Sequence, residues 1–139
     1  MEMPNLVRHG LCREFESGYN SDATRMMYEY NKKDKDEISE MIRETWEYIK
    51  TENDSIHVLC HFYFLLRSEV EREWIKDISL DIVKYGLNYN DVEVIDETIG
   101  LIESWHDKDI LDLLYKTNIK EKWLNEYKMH VLDDFDYFK

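Results

Sequence analysis

The sequence predicts an all-α protein made of short antiparallel helix pairs. Its 139 residues include only one proline, Pro4, and four glycines, whereas an all-β chain needs turn residues every ~8–12 positions. Apolar side chains instead recur at intervals of three and four residues, which is the period of an amphipathic helix. We therefore expect six or seven helices in one domain spanning residues 1–139, since a chain of this length buries roughly two-thirds of its unfolded surface.

The first part of the chain, residues 1–35, gives the least regular signal. Leu6, Val7 and Leu11 predict one or two helical turns, and a cap at position 21 or 22 begins a predicted helix through Tyr30. From position 36 the pattern sharpens into an amphipathic helix, because an apolar stripe faces a row of glutamates. The stripe contains Ile38, Met41, Ile42, Thr45, Trp46 and Ile49, and the row contains Glu37, Glu40, Glu44 and Glu47.

The segment at residues 56–67 reads IHVLCHFYFLLR and is apolar on nearly every side. We expect it to be the most buried helix, with an N-cap at one of positions 53–55. A further helix is predicted from Ser68 to Gly86, because glycine at that end suits a left-handed C-terminal cap.

Three more helices complete the predicted fold, and each has a polar residue placed to accept hydrogen bonds from its first N–H groups. The candidate caps are Asn90 or Asp91 for the first helix, Asp107 or Asp109 for the short second one, and Asn118 for the last. The first of these helices ends at Trp105.

Residues 92–132 read VEVIDETIGLIESWHDKDILDLLYKTNIKEKWLNEYKMHVL. A long helix with a tryptophan, a tight acidic turn, a short helix and a W-L-x-x-Y helix follow one another, and this order resembles the C-terminal portion of small HEAT-like repeat proteins. The matching positions are Ile102, Trp105, Asp107, Ile110, Leu113, Leu114, Trp123, Leu124 and Tyr127. Because such repeats bury their apolar faces by stacking, the resemblance implies a HEAT-like α-solenoid over residues 36–139.

Small acidic proteins of this type include immunity proteins, which neutralise toxic nucleases or other bacterial toxins delivered between competing cells. The resemblance therefore implies a bacterial protein that is not an enzyme. Its partner would be a cognate toxin domain.

The charge of the chain bears on the chemistry of such a partner. The sequence has 18 basic and 31 acidic residues, a net charge of −13, and the whole excess lies in residues 36–139. Phosphate backbones are bound by Lys and Arg, so this composition disfavours a nucleic-acid partner. A basic protein is the natural complement, although a high net charge also serves solubility alone.

The best-defined helix, which follows position 91, offers the candidate partner-binding residues. They border that helix away from its apolar stripe, and they are Tyr89, Glu93, Asp96, Glu97, Glu103 and Asp107. Carboxylates there would speed encounter with a basic toxin domain and occlude it, while tyrosine supplies apolar area. The other interpretation is that the tyrosines cover the core with their hydroxyls in water.

One constellation has the spacing of a metal site. His57 and His61 lie four residues apart with Cys60 between them, so one helix face would present both imidazoles. Position 58 is valine, however, and the glutamate of a zinc-protease motif is therefore missing. We expect both histidines to pack in the core, and we predict no catalytic residue, no metal and no cofactor. A metal-dependent enzyme using these three residues is kept as an alternative.

No stretch approaches the ~18–20 apolar residues that cross a membrane, and the beginning of the chain lacks a secretory signal pattern. We therefore expect a cytoplasmic protein without membrane contact, in which Cys12 and Cys60 are free thiols. The remaining alternative function is a DNA-mimicking inhibitor or regulatory subunit of a nucleic-acid enzyme.

Overall fold

The computed structural model describes residues 35–53 and 55–139. Within these ranges the chain forms six α-helices and no β-strand, which confirms the predicted all-α class. The helices are α1 (Lys35–Thr51), α2 (Ile56–Glu69), α3 (Lys76–Leu87), α4 (Val92–Trp105), α5 (Lys108–Lys116) and α6 (Lys122–Asp134), with a 3-10 turn at Arg72–Ile75 before α3. The predictions for residues 1–34, including the helix through Tyr30 and the thiol of Cys12, lie outside the described residues.

The chain divides into two compact units, Met1–Ile78 and Ser79–Lys139, and the division falls inside α3. The single domain over residues 1–139 stays a prediction, as does the solenoid stacking of the helix pairs.

In the first unit, the predicted stripe of α1 forms part of the core. Ile38, Ile42 and Ile49 are buried, and Trp46 lies parallel to Phe62 of α2, with 6.0 Å between ring centroids and 8° between ring planes. The polar side of α1 is tied to the 3-10 turn, because Ser39 Oγ donates a 2.8 Å hydrogen bond to the carbonyl oxygen of Trp74.

The most apolar segment forms α2, as predicted. Ser55 caps it, because its side chain accepts a hydrogen bond from the backbone N–H of Val58. Buried side chains cover most of the helix circumference, and they are Val58, Leu59, His61, Phe62, Tyr63, Leu65 and Leu66. A helix that is buried on nearly every side is typical of a core element.

Two predicted boundaries are wrong. Ser68 does not begin a helix, since α2 continues through Glu69. The helix ends at Val70, whose backbone is extended. Gly86 does not provide a left-handed cap, because α3 runs through Leu87 and Gly86 is a buried helical residue. Asn88 replaces that cap, since both its backbone N–H and its side-chain amide donate to the carbonyl of Lys84, at 3.2 and 2.8 Å.

In the second unit, α4 packs against α5 and α6, which also pack against each other. Of the two predicted caps, Asn90 and Asp91, it is Asp91 that caps α4, because its Oδ1 accepts hydrogen bonds from the N–H groups of Glu93 and Val94. The core between these helices consists of Val94, Ile99, Leu101, Ile102, Ile110, Leu114, Leu124, Val131 and Leu132, which are all fully buried.

The last predicted cap is also wrong. Asn118 lies in an irregular segment. A cap there would begin the helix at Ile119, but α6 begins three residues later, at Lys122. Glu121 occupies the cap position in an extended conformation without a side-chain hydrogen bond to the helix. Asp107 does occupy the cap position of α5, although its side chain makes no capping bond there.

Candidate protein-binding surface

The predicted partner-binding residues lie on α4 and at its two ends, and Oε2 of Glu97 is buried. Glu93 and Glu103 are exposed, while Asp96 and Glu97 are half-buried. A helix rises 1.5 Å per residue, so Glu93 and Glu103 are about 15 Å apart along the axis. The structure therefore arranges these carboxylates as a strip along the helix, and it does not bring all six predicted residues together.

Tyr89 and Asp107 lie at opposite ends of that strip. Tyr89 precedes α4 and is half-buried, with its ring centroid 5.7 Å from that of Tyr85. Burial raises the pKa of the Tyr85 phenol, and the neighbouring Tyr89 raises it further. Asp107 follows α4 and is exposed at the start of α5. The two ends of α4 therefore belong to different surface features.

Carboxylates lie on the two chain segments that meet near the end of α4, and we call this set the acidic edge. Its members are all exposed, and they are Glu103, Asp107, Asp109, Asp133 and Asp134. The first three come from the junction between α4 and α5, and the other two come from the last turn of α6. Only Glu103 and Asp107 among them were predicted.

A stacked ring pair joins the two parts of the acidic edge. The imidazole of His106 lies parallel to the ring of Phe135, with 4.4 Å between centroids and 5° between planes. His106 links α4 to α5 in a left-handed conformation, with φ at 34°. This conformation is uncommon for a residue with a side chain. It ends α4 sharply, and the N–H of His106 donates to the carbonyl of Ile102 at 2.7 Å.

A second contact reaches the acidic edge from the side of α6. The hydroxyl of Tyr127 donates a 3.3 Å hydrogen bond to Oε1 of Glu103. Tyr127 is half-buried, so its ring supplies apolar area beside an exposed carboxylate. Combined apolar area, hydrogen bonding and charge of this kind is typical of protein-binding surfaces.

Three of the five acids of the edge lie at the negative ends of helix dipoles. Glu103 lies in the last turn of α4, and Asp133 and Asp134 lie in the last turn of α6, where neither helix has a basic residue. The C-terminal end of a helix is partially negative and favours cations. The placement of these carboxylates is therefore unfavourable for helix stability.

The other end of α4 borders an open cleft of about 560 Å³. The loop between α3 and α4 forms one wall, and the segment between α5 and α6 forms the other. We call it the amide cleft, because the side chains of Asn88, Asn90 and Asn118 line it, together with Asp91 and Glu121.

A smaller hollow of about 500 Å³ adjoins the amide cleft. Its walls are Asp81, Lys84 and Tyr85 of α3, followed by Asn88 and Tyr89, which also line the amide cleft. We call it the tyrosine hollow. Asn88 and Tyr89 therefore form a ridge between two neighbouring depressions. Neither depression was predicted as such, although Tyr89 was.

An exposed aromatic cluster lies on α5 and the segment after α6. The rings of Tyr115, Tyr137 and Phe138 contact one another, with centroids 5.3 to 5.9 Å apart. About half of the Tyr115 and Phe138 side chains is exposed, at 49% and 53%. No periodic signal in the sequence indicates this cluster, because a turn after α6 creates it.

That turn is a Schellman motif with aspartate in place of glycine. Asp136 is left-handed, with φ at 56°. The N–H of Tyr137 donates to the carbonyl of Leu132 at 2.9 Å, and the N–H of Asp136 donates to that of Asp133 at 3.0 Å. These are the two bonds that define the motif. It reverses the chain so that Tyr137 reaches α5.

Lys128 supports the same region from within. Its side chain is buried, and Nζ donates hydrogen bonds to the carbonyl oxygens of Tyr115 and Thr117, at 3.0 and 2.8 Å. Burial lowers the pKa of this ammonium group. Lys128 therefore binds the free carbonyl groups at the end of α5, where a cation is favourable.

The histidine pair differs from its prediction in one of its two members. His61 is buried as predicted, but His57 is exposed, because it lies in the first turn of α2. Their rings meet edge to face with centroids 6.0 Å apart, and Cys60 is a half-buried free thiol. Among the described residues, no group of three or more His, Cys, Asp or Glu side chains is placed to hold a metal ion.

None of the helices in residues 35–53 and 55–139 combines the length and apolar character that crossing a bilayer requires. Comparison of the chain with protein-family models, with curated proteins and with solved structures finds no match. The described residues define an all-α protein, and the sequence carries a net charge of −13.

Proposed function

We propose that this chain is an immunity protein that binds and neutralises a basic toxin domain of the nuclease type. The acidic edge carries the proposal. It comprises five exposed carboxylates on the two chain segments that the stacked rings of His106 and Phe135 bring into contact. Three of them oppose the dipoles of α4 and α6, so their placement is better explained by binding than by helix stability.

The neutralising mechanism combines steric and electrostatic occlusion. Lys and Arg in the cleft of a nuclease normally meet phosphate groups, and the carboxylates of the edge take the place of those phosphates. Opposite charge accelerates the encounter of the two proteins. Tyr127 and Phe135 then act as apolar anchors, which slow dissociation more than they affect association.

The finer features of the fold belong to the same proposal. The helix pairs stack as a HEAT-like α-solenoid in a bacterial protein, and that stacking leaves the acidic edge of α4, α5 and α6 open to a partner. A nuclease-type toxin acts on nucleic acid inside the cell. The protein that neutralises it is therefore cytoplasmic.

The proposal requires a toxin gene next to the gene for this chain, and its test is rescue of growth in a bacterial host that expresses both. The wild-type chain is expected to restore growth and to bind the domain more weakly as salt concentration rises. Replacement of Asp133 and Asp134 by lysine is expected to weaken binding at least about tenfold. Absence of rescue by the wild-type chain would overturn the proposal.

A matched control separates the acidic edge from net charge. Replacement of Glu40 and Glu44 by lysine changes the net charge by the same amount on the exposed side of α1. The dissociation rate of this variant is expected to stay within about twofold of the wild-type rate, and its association is expected to be slower because the overall charge is lower. Equal losses for the two variants would remove the acidic edge from the mechanism.

The strip along α4 favours a second candidate function. Glu93, Glu97 and Glu103 are about 6 to 9 Å apart along the helix axis, which is comparable with spacing along a nucleic-acid backbone. Such a strip suits a DNA-mimicking inhibitor of a resident nucleic-acid enzyme. The test of this candidate separates the two sets of carboxylates. Substitution of Glu93 and Glu97 by glutamine would abolish inhibition of the enzyme, and replacement of Asp133 and Asp134 by lysine would leave it unchanged.

A further inference from the structure

We propose that the amide cleft and the tyrosine hollow together bind an extended, arginine-bearing segment of the partner protein. The segment crosses the ridge formed by Asn88 and Tyr89. This inference rests on the proposed function in one respect, because it assumes that the partner is a basic protein. It assigns that partner a second point of attachment, at the opposite end of α4 from the acidic edge.

The shape of the surface favours an extended chain. The two depressions share Asn88 and Tyr89 as a common wall, so a ligand that fills both has to pass over this ridge. An extended peptide rises 3.2–3.4 Å per residue, and its successive side chains point to opposite faces. A short segment therefore places one residue on each side of the ridge without turning.

The chemistry of the amide cleft matches a peptide backbone. Asn90 and Asn118 are exposed and lie on the two walls of the cleft. A primary amide carries both a donor and an acceptor, as a peptide group does. Asparagine side chains on both walls can therefore bind the main chain of a segment whatever its side chains are. Val92 adds apolar area at the mouth, since 42% of it is exposed.

The chemistry of the tyrosine hollow matches arginine. The rings of Tyr85 and Tyr89 are tilted by 39° with centroids 5.7 Å apart, and the carboxylate of Asp81 lies on the same helix side, one turn before Tyr85. A guanidinium group stacks on aromatic rings and pairs with a carboxylate through two parallel hydrogen bonds. Lysine offers a point charge and no plane, so it is the poorer ligand.

The charge of the region supports a cationic side chain. The residues that line the two depressions include three acids, Asp81, Asp91 and Glu121, against two bases, Lys84 and Lys120. The whole chain has a net charge of −13, which adds a long-range attraction for a cation. A basic segment is therefore complementary to both the local and the overall charge.

The experiment selects binders from a library of random linear heptapeptides, with the folded full-length chain as bait. Enrichment of sequences with one arginine in a common register is expected. In a purified peptide from that pool, changing arginine to lysine is expected to weaken binding by about tenfold. A pool without arginine enrichment, or a lysine peptide that binds equally well, would overturn the inference.

Variants of the chain locate the binding site. Asn118→Ala removes an amide group from the surface, and Asp81→Asn removes a negative charge. Each variant is expected to bind the selected peptide about fivefold more weakly. The matched controls are Asn125→Ala and Glu126→Gln, which are exposed on α6 and line neither depression. Equal effects of the site and control variants would contradict the assignment.

The two proposals can fail independently. The growth test depends on the acidic edge and on the toxin domain, whereas the peptide selection requires neither. If growth is rescued but no arginine peptide is selected, only the inference about the cleft is wrong. If arginine peptides bind at Asn118 and Asp81 but growth is not rescued, the cleft is a peptide site and the immunity function is wrong.

Discussion

The hydroxyl of Tyr137 donates a 2.8 Å hydrogen bond to Oδ1 of Asp112, a residue 25 positions earlier in the chain. This bond lowers the pKa of the Asp112 carboxyl, and hydrogen bonding from Lys108 lowers it further. The same bond raises the pKa of the Tyr137 phenol. A single contact therefore couples the segment after α6 to the middle of α5.

Replacement of Tyr137 by phenylalanine tests this coupling directly. The variant keeps the aromatic ring but loses the donor, so the pKa of Asp112 is expected to rise toward the ordinary aspartate value. The measurement is a titration of the side-chain carboxyl carbon by NMR. Tyr48→Phe in α1 is the control and should leave the Asp112 titration unchanged. An unaltered Asp112 pKa in Tyr137→Phe would show that the bond is absent in solution.

The stability difference between the wild-type chain and Tyr137→Phe is expected to depend on pH. The pKa of Asp112 is lower in the folded chain, so its contribution is complete above its unfolded pKa of about 3.9 and is lost as pH falls through the folded pKa. The pKa of Tyr137 is raised, so its contribution is complete below about 10 and is lost as pH rises further. The difference in free energy of unfolding between wild type and Tyr137→Phe is therefore expected to be largest between these limits. Urea denaturation across this pH range checks it, and a difference that grows toward acid pH would contradict it.

The left-handed conformation of Asp136 makes the turn after α6 sensitive to its side chain. Glycine adopts this conformation without steric penalty, aspartate tolerates it, and a β-branched residue opposes it. The expected order of stability is therefore Asp136→Gly above wild type, and wild type above Asp136→Val. The valine variant is expected to lose about 1–2 kcal/mol. Thermal denaturation measures the order, and a valine variant as stable as wild type would mean that the Schellman turn does not form.

Within the described residues, local sequence patterns were sufficient to predict most of the helices and to narrow the choice of several caps. Asp91 and Ser55 were recognisable because a helix N-terminus needs a side-chain acceptor at a fixed offset. The buried α2 was recognisable because apolar residues cover nearly its whole circumference. By contrast, Gly86 misled the prediction: Asn88 satisfies the end of α3, so glycine is not required to be left-handed there.

The candidate surfaces depend on contacts that no local pattern encodes. The acidic edge exists because His106 and Phe135, 29 positions apart in sequence, stack on each other. The left-handed residues are histidine and aspartate, which are weaker signals for this conformation than glycine. The periodicity of α4 did indicate Glu103 and Asp107, because one residue lies in that helix and the other lies just after its end. It gave no information about Asp133 and Asp134, which come from another.

Lys128 offers a test of how a buried cation supports α5. Its ammonium group binds the carbonyl oxygens of Tyr115 and Thr117, so Lys128→Met removes two charge-assisted hydrogen bonds while keeping an unbranched side chain that is one heavy atom shorter. The expected loss is about 1–2 kcal/mol in the free energy of unfolding. Lys122→Met, which is exposed in the first turn of the same helix, is the control. Urea denaturation compares the two, and equal stabilities would contradict a capping role for Lys128.

The acids at the end of α6 predict an opposition between stability and binding. Asp133 and Asp134 lie at the negative end of the helix dipole, so their replacement by lysine is expected to stabilise the isolated chain by about 1 kcal/mol at low salt. The gain should shrink as added salt screens the exposed charges. Glu126→Lys in the middle of α6 provides the control, because it lies away from both helix ends and should gain little from the dipole. Denaturation of the three chains at two salt concentrations makes the measurement. A double lysine variant that is no more stable than wild type would mean that the dipole does not act on these residues, and the argument that their position serves binding would lose its physical basis.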